Sequence, residues 1–458
     1  MLNFRECAPL EGASRILSLI PRLTLLKDGQ DGAPLSCLGG VAAAIQAGDV
    51  PNMVERYHAL SAALLAAPAR RVSGDLWLDY LLYLVLERPH PFARMAADGR
   101  MEEAERMAMR ADLAVLGELS TLSGAALYRM AAERLQGAPQ HRRHEQDNIS
   151  RMSAAVWSGG TAQSTPAKPA PAKAAEPEPA APAEPLPPEG EWLAWHYGEM
   201  GLRDAYAADE ALEEVYIRLL ETEDWRSLCD DLWNFFASYG CAPFLQSRMF
   251  HVKQGTLAPL APSGGEYCPL SFYDGQRTAL IEHAIRFMRG ESAQPVLLAG
   301  PRGTGKTALA LNLAEELPEL RLVVLSRDAA FDPDALLASL GAQPLRFLLL
   351  LDDADLSAPA VSALLGRRAL RAFPQNVLLA ATVQEAAAEL GMFKVLRFPY
   401  PRIGEFAEMV DAFLAARGIS VDHARVRNAC VDHQVDARDH LSVSAAVLLA
   451  DELALGIR

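Results

Sequence analysis

The chain lacks any C-x-x-C pair. Its six cysteines stand apart at positions 7, 37, 229, 241, 268 and 430, which argues against a zinc ribbon or a disulfide scaffold and for reduced thiols. No stretch approaches eighteen uncharged apolar residues, so no membrane-spanning helix is expected. The opening MLNFRECAPLEG carries Glu6 where a signal peptide needs an apolar centre, and the expected location is the cytoplasm. Positive charge is in deficit: 43 Lys and Arg face 58 Asp and Glu, a formal net charge of -15. A protein that coats nucleic acid by neutralising phosphates over its whole surface is thereby excluded, though a local basic patch is not.

Apolar residues make up 50% of 458, enough for two or three cored domains. Between Thr161 and Gly190 the sequence is TAQSTPAKPAPAKAAEPEPAAPAEPLPPEG. Proline at every second or third position removes backbone donors and fixes φ, so this stretch reads as a semi-extended tether. The division that follows is an all-helical module (1–158), a linker (159–190), a helical connecting segment (191–265), an α/β core (266–400) and a helical lid (401–458). On this division, cleavage in the tether frees residues 191–458 as one nucleotide-binding fragment, and the helical modules are where a protein partner would bind.

In the first module GDLWLDYLLYLVLE puts Trp77, Leu81, Leu84 and Val85 on one stripe, and RMEEAERMAMRADLAVLGEL repeats Ala104, Ala108, Ala111 and Val115 at helical spacing. Such stripes are core, not cofactor contacts. Beyond the tether, Leu212, Val215, Tyr216 and Leu219 form a second inward stripe. From Gln294 the pattern changes. PVLLAG, LRLVVLS, LRFLLLLDD, NVLLAAT and KVLRF read as five buried parallel strands alternating with helices, a doubly wound α/β core.

GPRGTGKT, residues 300–307, follows the first of these strands and opens a helix, which is the context a phosphate-binding P-loop requires. Gly300, Pro301, Arg302, Gly303, Thr304, Gly305, Lys306, Thr307 and Ala308 make up the expected cradle. Backbone N–H groups and the helix N-terminus attract phosphate oxygens, Lys306 reaches the terminal phosphates, and Thr307 offers a hydroxyl to Mg²⁺. In LRFLLLLDDAD two carboxylates end a strand, where open α/β sheets gather ligands. Asp352 is the expected Mg²⁺-side acid, and Asp353 stands where a base for the attacking water is wanted, one methylene shorter than Glu. The alternative for the pair is surface acids that cap the next helix. Thr382 and Gln384, at the end of the next strand, are candidate sensors of γ-phosphate or water, or turn formers. Three helices complete the chain, and Arg438 is a candidate lid contact to phosphate or a surface arginine.

LWLDYLLYLVLERPHPFARMAADGR, LSFYDGQRTALIEHAIRFMRG, VLLAGPRGTGKT, LRFLLLLDDADLS and FPQNVLLAATVQ, in this order and spacing, resemble the AAA+-type ATPases, and among them the bacterial family of predicted ATPases known as domain of unknown function 815. The resemblance implies ATP binding, with the glycines, Lys306 and Thr307 on phosphates and Asp352 and Asp353 on metal and water. It also sets Phe272 and Tyr273 where such ATPases contact adenine, or where two aromatics simply pack. Two departures stand out: Thr382-Val383-Gln384 replaces the family's Thr-Ser-Asn, and ELGMFKVLRFPYP lacks the arginine of Ser-Asp-Arg-Phe-Gly. An arginine finger is therefore not in register, with Arg367, Arg368 and Arg371 as substitutes of equal standing. The expected function is a Mg²⁺-dependent ATPase with slow hydrolysis; a nucleotide-dependent scaffold and, less favoured, a small-molecule kinase are the alternatives, and a homo-oligomer remains open.

Overall fold

The computed structural model describes residues 12–28, 32–100, 102–136, 185–197, 210–260, 270–291, 293–369, 373–384, 391, 393–437 and 441–456. Contacts divide the chain into two compact units, residues 1–92 with 101–232, and residues 93–100 with 233–458.

The first unit is helical, with Pro34–Ala47, Val50–Ala66, Leu76–Leu86, Glu103–Leu119 and Glu210–Glu221 among its helices. Asp75 starts the helix Leu76–Leu86 by accepting the N–H groups of Trp77 and Leu78, and Trp77, Leu81, Leu84 and Val85 are buried as their periodicity predicts. The helix Glu103–Leu119 corrects the reading of its stripe. Ala104 and Ala111 are exposed, and the buried face is Met109, Asp112, Leu113, Val115, Leu116 and Leu119. The larger side chains win because burial scales with apolar area. Asp112 is fully buried because it collects the N–H groups of Thr24, Leu25 and Leu26 at 2.7 to 3.1 Å, plus the Thr24 hydroxyl.

The boundary after the proline-rich stretch falls elsewhere than composition suggests. Residues 185–197 pack on the first unit: Trp195 donates through its indole N–H to the Ser61 hydroxyl at 3.2 Å, the Tyr57 hydroxyl donates to the Leu193 carbonyl at 2.6 Å, and the Leu76 N–H donates to the Trp195 carbonyl at 3.0 Å. The Tyr197 hydroxyl donates to buried Asp79. The Tyr57 ring is stacked on Trp195 and meets Trp192 at a tilt. Residues 191–265 are accordingly not one connecting segment, since the division falls between Leu232 and Trp233. Aromatic side chains bury large areas, and here they tie the far end of the tether back to the module it left. The tether itself, through residue 184, lies outside the described residues.

The second unit is a seven-stranded sheet of order β2-β1-β4-β5-β6-β3-β7. The five expected strands are all present: β3 (Val296–Ala299), β4 (Leu320–Ser326), β5 (Arg346–Asp352), β6 (Val377–Val383) and β7 (Lys394–Arg397). They pair in parallel. Two further strands, β1 (Met249–Lys253) and β2 (Thr256–Pro259), form an antiparallel hairpin within the stretch expected to be helical. Its signal is the dipeptide Gln254-Gly255 between apolar runs, both residues at positive φ, as a two-residue hairpin turn requires.

Both sheet faces are covered, which is why the strands read as unbroken apolar runs. Leu298, Leu348, Leu350, Leu378 and Ala380 face a core shared with the helices Asp274–Met288 and Lys306–Glu316 and with the lid residues Phe406, Val410, Val426 and Leu449. Leu297, Leu349, Leu351, Leu379 and Ala381 face the helices Pro333–Gly341 and Pro359–Ala369. The lid comprises the helices Ile403–Ala416, His423–Ala437 and Val443–Ala454. Among the described residues no helix is long and apolar enough to cross a membrane.

Cleavage between residues 161 and 184, which the proline-rich composition favours, should leave the two products associated, because Trp192 and Trp195 stay seated on the first unit. Gel filtration of the nicked protein should give one peak. Trp195→Ala, at a cost of about 3 to 5 kcal/mol, should lower the melting temperature without parting the pieces, because Tyr216 and Asp230 hold the C-terminal product to the same unit; separation of the unsubstituted nicked chain would refute the docking.

Candidate functional site

Residues 300–305 leave the carboxyl end of β3 and lead into the helix Lys306–Glu316. β3 lies between β6 and β7, so the loop opens one strand in from the edge of the sheet. Gly300 donates its N–H to the Val383 carbonyl at 3.1 Å, and a Cβ added there would meet the Phe398 carbonyl oxygen at 2.3 Å. Glycine is required at 300 because the chain following β7 runs against it. At Gly303 the backbone has φ 76°, and an added Cβ would sit 3.0 Å from the Ser442 hydroxyl, so this position combines a left-handed backbone with close packing. Ser442 caps the last helix by accepting the Ala445 N–H, and the Ser444 N–H donates to the Gly303 carbonyl at 3.1 Å. The start of the lid's last helix thus touches the loop directly.

Lys306 is buried, and its ammonium donates to the carbonyls of Gly300 at 2.8 Å and Pro301 at 2.7 Å, with the Thr304 hydroxyl at 3.4 Å. Burial pulls its pKa below the ordinary lysine value, while Asp353 and Asp352 push it back up. Thr304 is buried and donates to the Pro301 carbonyl; Ala308, in the first turn of the helix, is exposed.

Each acid of the pair is tied to the loop, Asp352 through Thr307 and Asp353 through Arg302. Asp352 Oδ1 accepts the Thr307 hydroxyl at 2.5 Å and the Thr382 hydroxyl at 2.9 Å. Thr382 in turn accepts the Asp353 N–H at 2.7 Å. A hydroxyl has one proton and two lone pairs, and Thr382 uses its proton on one acid and a lone pair on the other. It holds the Asp352 carboxylate and the Asp353 backbone in place. Asp353 has φ 48°, a left-handed conformation in which Asp is enriched among non-glycine residues. Its Oδ1 accepts the Gln384 amide at 2.9 Å and its Oδ2 accepts Arg302 at 3.1 Å, with Arg327 at 3.8 Å. The Gln384 amide first, then the guanidinium groups of Arg302 and Arg327, hold the Asp353 carboxyl below the usual range.

The loop, the acid pair, Thr382 and Gln384 are thus brought together. Tyr273 is buried against Phe398 and donates its hydroxyl to the Pro399 carbonyl at 2.7 Å, with Phe272 edge-on to it. Arg367 pairs with Asp334, and Arg368 donates to the Ala293 carbonyl at 2.5 Å, so both are engaged within the chain. Arg371 and Arg438 lie outside the described residues; the last helix begins at Val443, behind its Ser442 cap. Sequence reasoning missed Arg327, Ser442 and Ser444. Arg327 follows Ser326, which pairs with Asp352, so the rule that ligands gather at strand ends would have found it; Ser442 carried an N-cap signal. Among the described residues no three His, Cys, Asp or Glu gather as a metal cluster. The Thr307 hydroxyl and the Asp352 carboxylate are oxygen donors of the kind Mg²⁺ takes when phosphates and waters complete its shell.

A P-loop strand flanked by β6 and β7, an acid pair on β5 and a three-helix lid define a fold of the AAA+ type. Residues 248–386, less than a third of the chain, match the model of the family described as "Protein of unknown function (DUF815)", a range that includes four of the five stretches carrying the sequence resemblance and leaves out residues 76–100. No curated protein matches. Among solved structures, a single-substitution variant of RuvB from Thermotoga maritima is 21% identical over 41% of this chain and 62% of its own, with a TM-score of 0.32. The Thermotoga maritima RuvB Holliday junction branch migration motor is 19% identical over 39% and 69%, TM-score 0.29. The AAA domain of FIGL-1, solved in complex with ADP, is 18% identical over 40% and 70%, TM-score 0.30. The matched region spans about three fifths of the first of these chains.

Two substitutions test the geometry through thermal unfolding. Gly300→Ala should cost about 1 to 3 kcal/mol or more, the range of forced overpacking, because the obstacle is backbone. Thr382→Val should cost about 1 to 3 kcal/mol by leaving the Asp353 N–H without its acceptor. An unchanged melting temperature for either would mean that the contact is not made.

Proposed function

We propose that the chain is a Mg²⁺-dependent, AAA+-type ATPase that turns over slowly and uses its nucleotide state to change contacts made by its helical elements. The observation that carries this reading is the single hydrogen-bonded network joining Thr307, Asp352, Thr382 and Asp353 beside the Lys306 ammonium. In it, the N–H groups of the loop and the N-terminus of the helix Lys306–Glu316 receive the phosphates, and Lys306 exchanges loop carbonyls for phosphate oxygens. Thr307 and Asp352 hold Mg²⁺, which supplies charge neutralisation at the phosphates when bound. Asp353 orients the attacking water and Gln384 sits beside it; Phe272 and Tyr273 border the adenine. Slow turnover is supported by the engagement of both Asp353 oxygens and by the internal pairing of Arg367 and Arg368, since a guanidinium at the transferred phosphoryl supplies much of the charge stabilisation in faster relatives of this chemistry. The helical modules offer the surface for a protein partner or a second copy.

The same engagement of Asp353 favours a second reading, a nucleotide-dependent switch with negligible hydrolysis. Phosphate release and ATP binding by the full chain and by Lys306→Ala and Asp353→Asn variants separate the two. Lys306→Ala should weaken ATP binding about 10- to 150-fold, the worth of a charge-assisted hydrogen bond. Asp353→Asn should bind ATP and release no phosphate, and chelation of Mg²⁺ should stop release by the unsubstituted chain. Equal background rates for all three proteins, with ATP still bound, would leave the switch; absence of ATP binding by the unsubstituted chain would refute both.

A further inference from the structure

Asp353 is held from two directions by groups that belong to different strand ends. Gln384, just past β6, takes Oδ1 at 2.9 Å, and Arg302, on the phosphate loop between Pro301 and Gly303, takes Oδ2 at 3.1 Å. Arg327, after β4, stands farther off at 3.8 Å. The backbone of Asp353 cannot easily turn away, because its N–H is fixed on Thr382. Arg302 can: its side chain is 72% exposed, against 39% for Asp353, so moving its guanidinium costs little desolvation. A carboxylate whose oxygens are both occupied by donors is a poor acceptor for a proton of water. The guanidinium that occupies one of them rides on the loop that would cradle a polyphosphate, and a phosphate offers the same planar fork a doubly charged, bidentate partner. Carboxylate and phosphate therefore compete for one cation.

We propose that Arg302 is a latch on Asp353, released when a nucleoside triphosphate in the loop draws the guanidinium onto its terminal phosphate. Arg302 is on this view a positioning residue: it acts on the reaction through Asp353 and lets the carboxylate go only when the third phosphate is present. The inference rests on the proposed binding of ATP. It adds that occupancy and base availability are coupled through one side chain, and that ATP is distinguished from ADP partly by the energy of that exchange.

The test is a double-substitution cycle read by calorimetric affinities for ATP and for ADP, each with Mg²⁺, on the full chain and on its R302A, D353N and R302A/D353N variants, with R302K as a fifth protein. With the latch, R302A lowers the preference for ATP over ADP. D353N raises that preference in the presence of Arg302 by a factor about two to five larger than it does in the R302A background, the worth of one exposed ion pair. R302K, which keeps the charge and loses the fork, falls between the unsubstituted chain and R302A. Relief of repulsion between Asp353 and phosphate is common to both backgrounds and cancels in the cycle, and a purely structural role for Arg302 would change ATP and ADP alike. Independent, multiplying effects of the two substitutions, or an ATP preference untouched by R302A, would overturn the latch while leaving ATP binding intact; failure of the unsubstituted chain to bind ATP would overturn the proposed function and the latch with it. Both side chains are solvent-exposed, and equal melting curves for the five proteins establish that folding is not what is being measured.

Discussion

Strand β6 lies between β5 and β3, and its parallel register sets the level at which every group of the site appears. Thr382 pairs with Leu298 of β3, while Ala381 pairs with Leu351 of β5, so the Thr382 hydroxyl arrives beside Asp352, one residue beyond Leu351. A slip of one residue would send Thr382 to the opposite face and remove the hydroxyl that joins the two acids. The buried leucines on both faces make such a slip costly, since each would exchange partners in a close-packed core. The site's geometry is thus a by-product of the core's packing.

The loop is fixed from both sides by contacts that have nothing to do with phosphate. Phe398 blocks any side chain at Gly300, and the last lid helix reaches Gly303 through Ser442 and Ser444. Lid and sheet share one apolar cluster. Only groups outside that packing are free to respond, and Arg302 is one of them.

The helical unit uses polar groups differently. Asp112, Asp79 and Glu87 are buried acids, each satisfied by several donors: backbone N–H groups around Asp112, the Tyr197 hydroxyl with the Val72 and Ser73 N–H groups at Asp79, and Arg70 with Tyr216 at Glu87. Burial pushes the Asp79 carboxyl up and these donors bring it down. An acid buried without them would be expensive. Here they fasten segments distant in sequence, Thr24–Leu26 to one helix and Tyr197 to another.

The sequence alone was sufficient for the five parallel strands, the phosphate loop, the acid pair and the apolar stripe of Trp77, Leu81, Leu84 and Val85, because each is written in neighbouring residues: unbroken apolar runs, glycine spacing, a helical period. The hairpin of β1 and β2 was written there too, in Gln254-Gly255, but so briefly that the helical pattern before it prevailed. Other features were not local. Ala104 and Ala111 of Glu103–Leu119 faced outward because Met109, Leu113, Leu116 and Leu119 had more apolar area to bury, and the stretch after the tether joined the first unit because Trp192 and Trp195 met Tyr57 and Ser61. Arg302 met Asp353 only because the sheet brings the ends of β3 and β5 to the same edge on either side of β6. A residue's partner across the fold depends on which surfaces can be buried together, and no stretch of the chain carries that information alone; tertiary packing decided it.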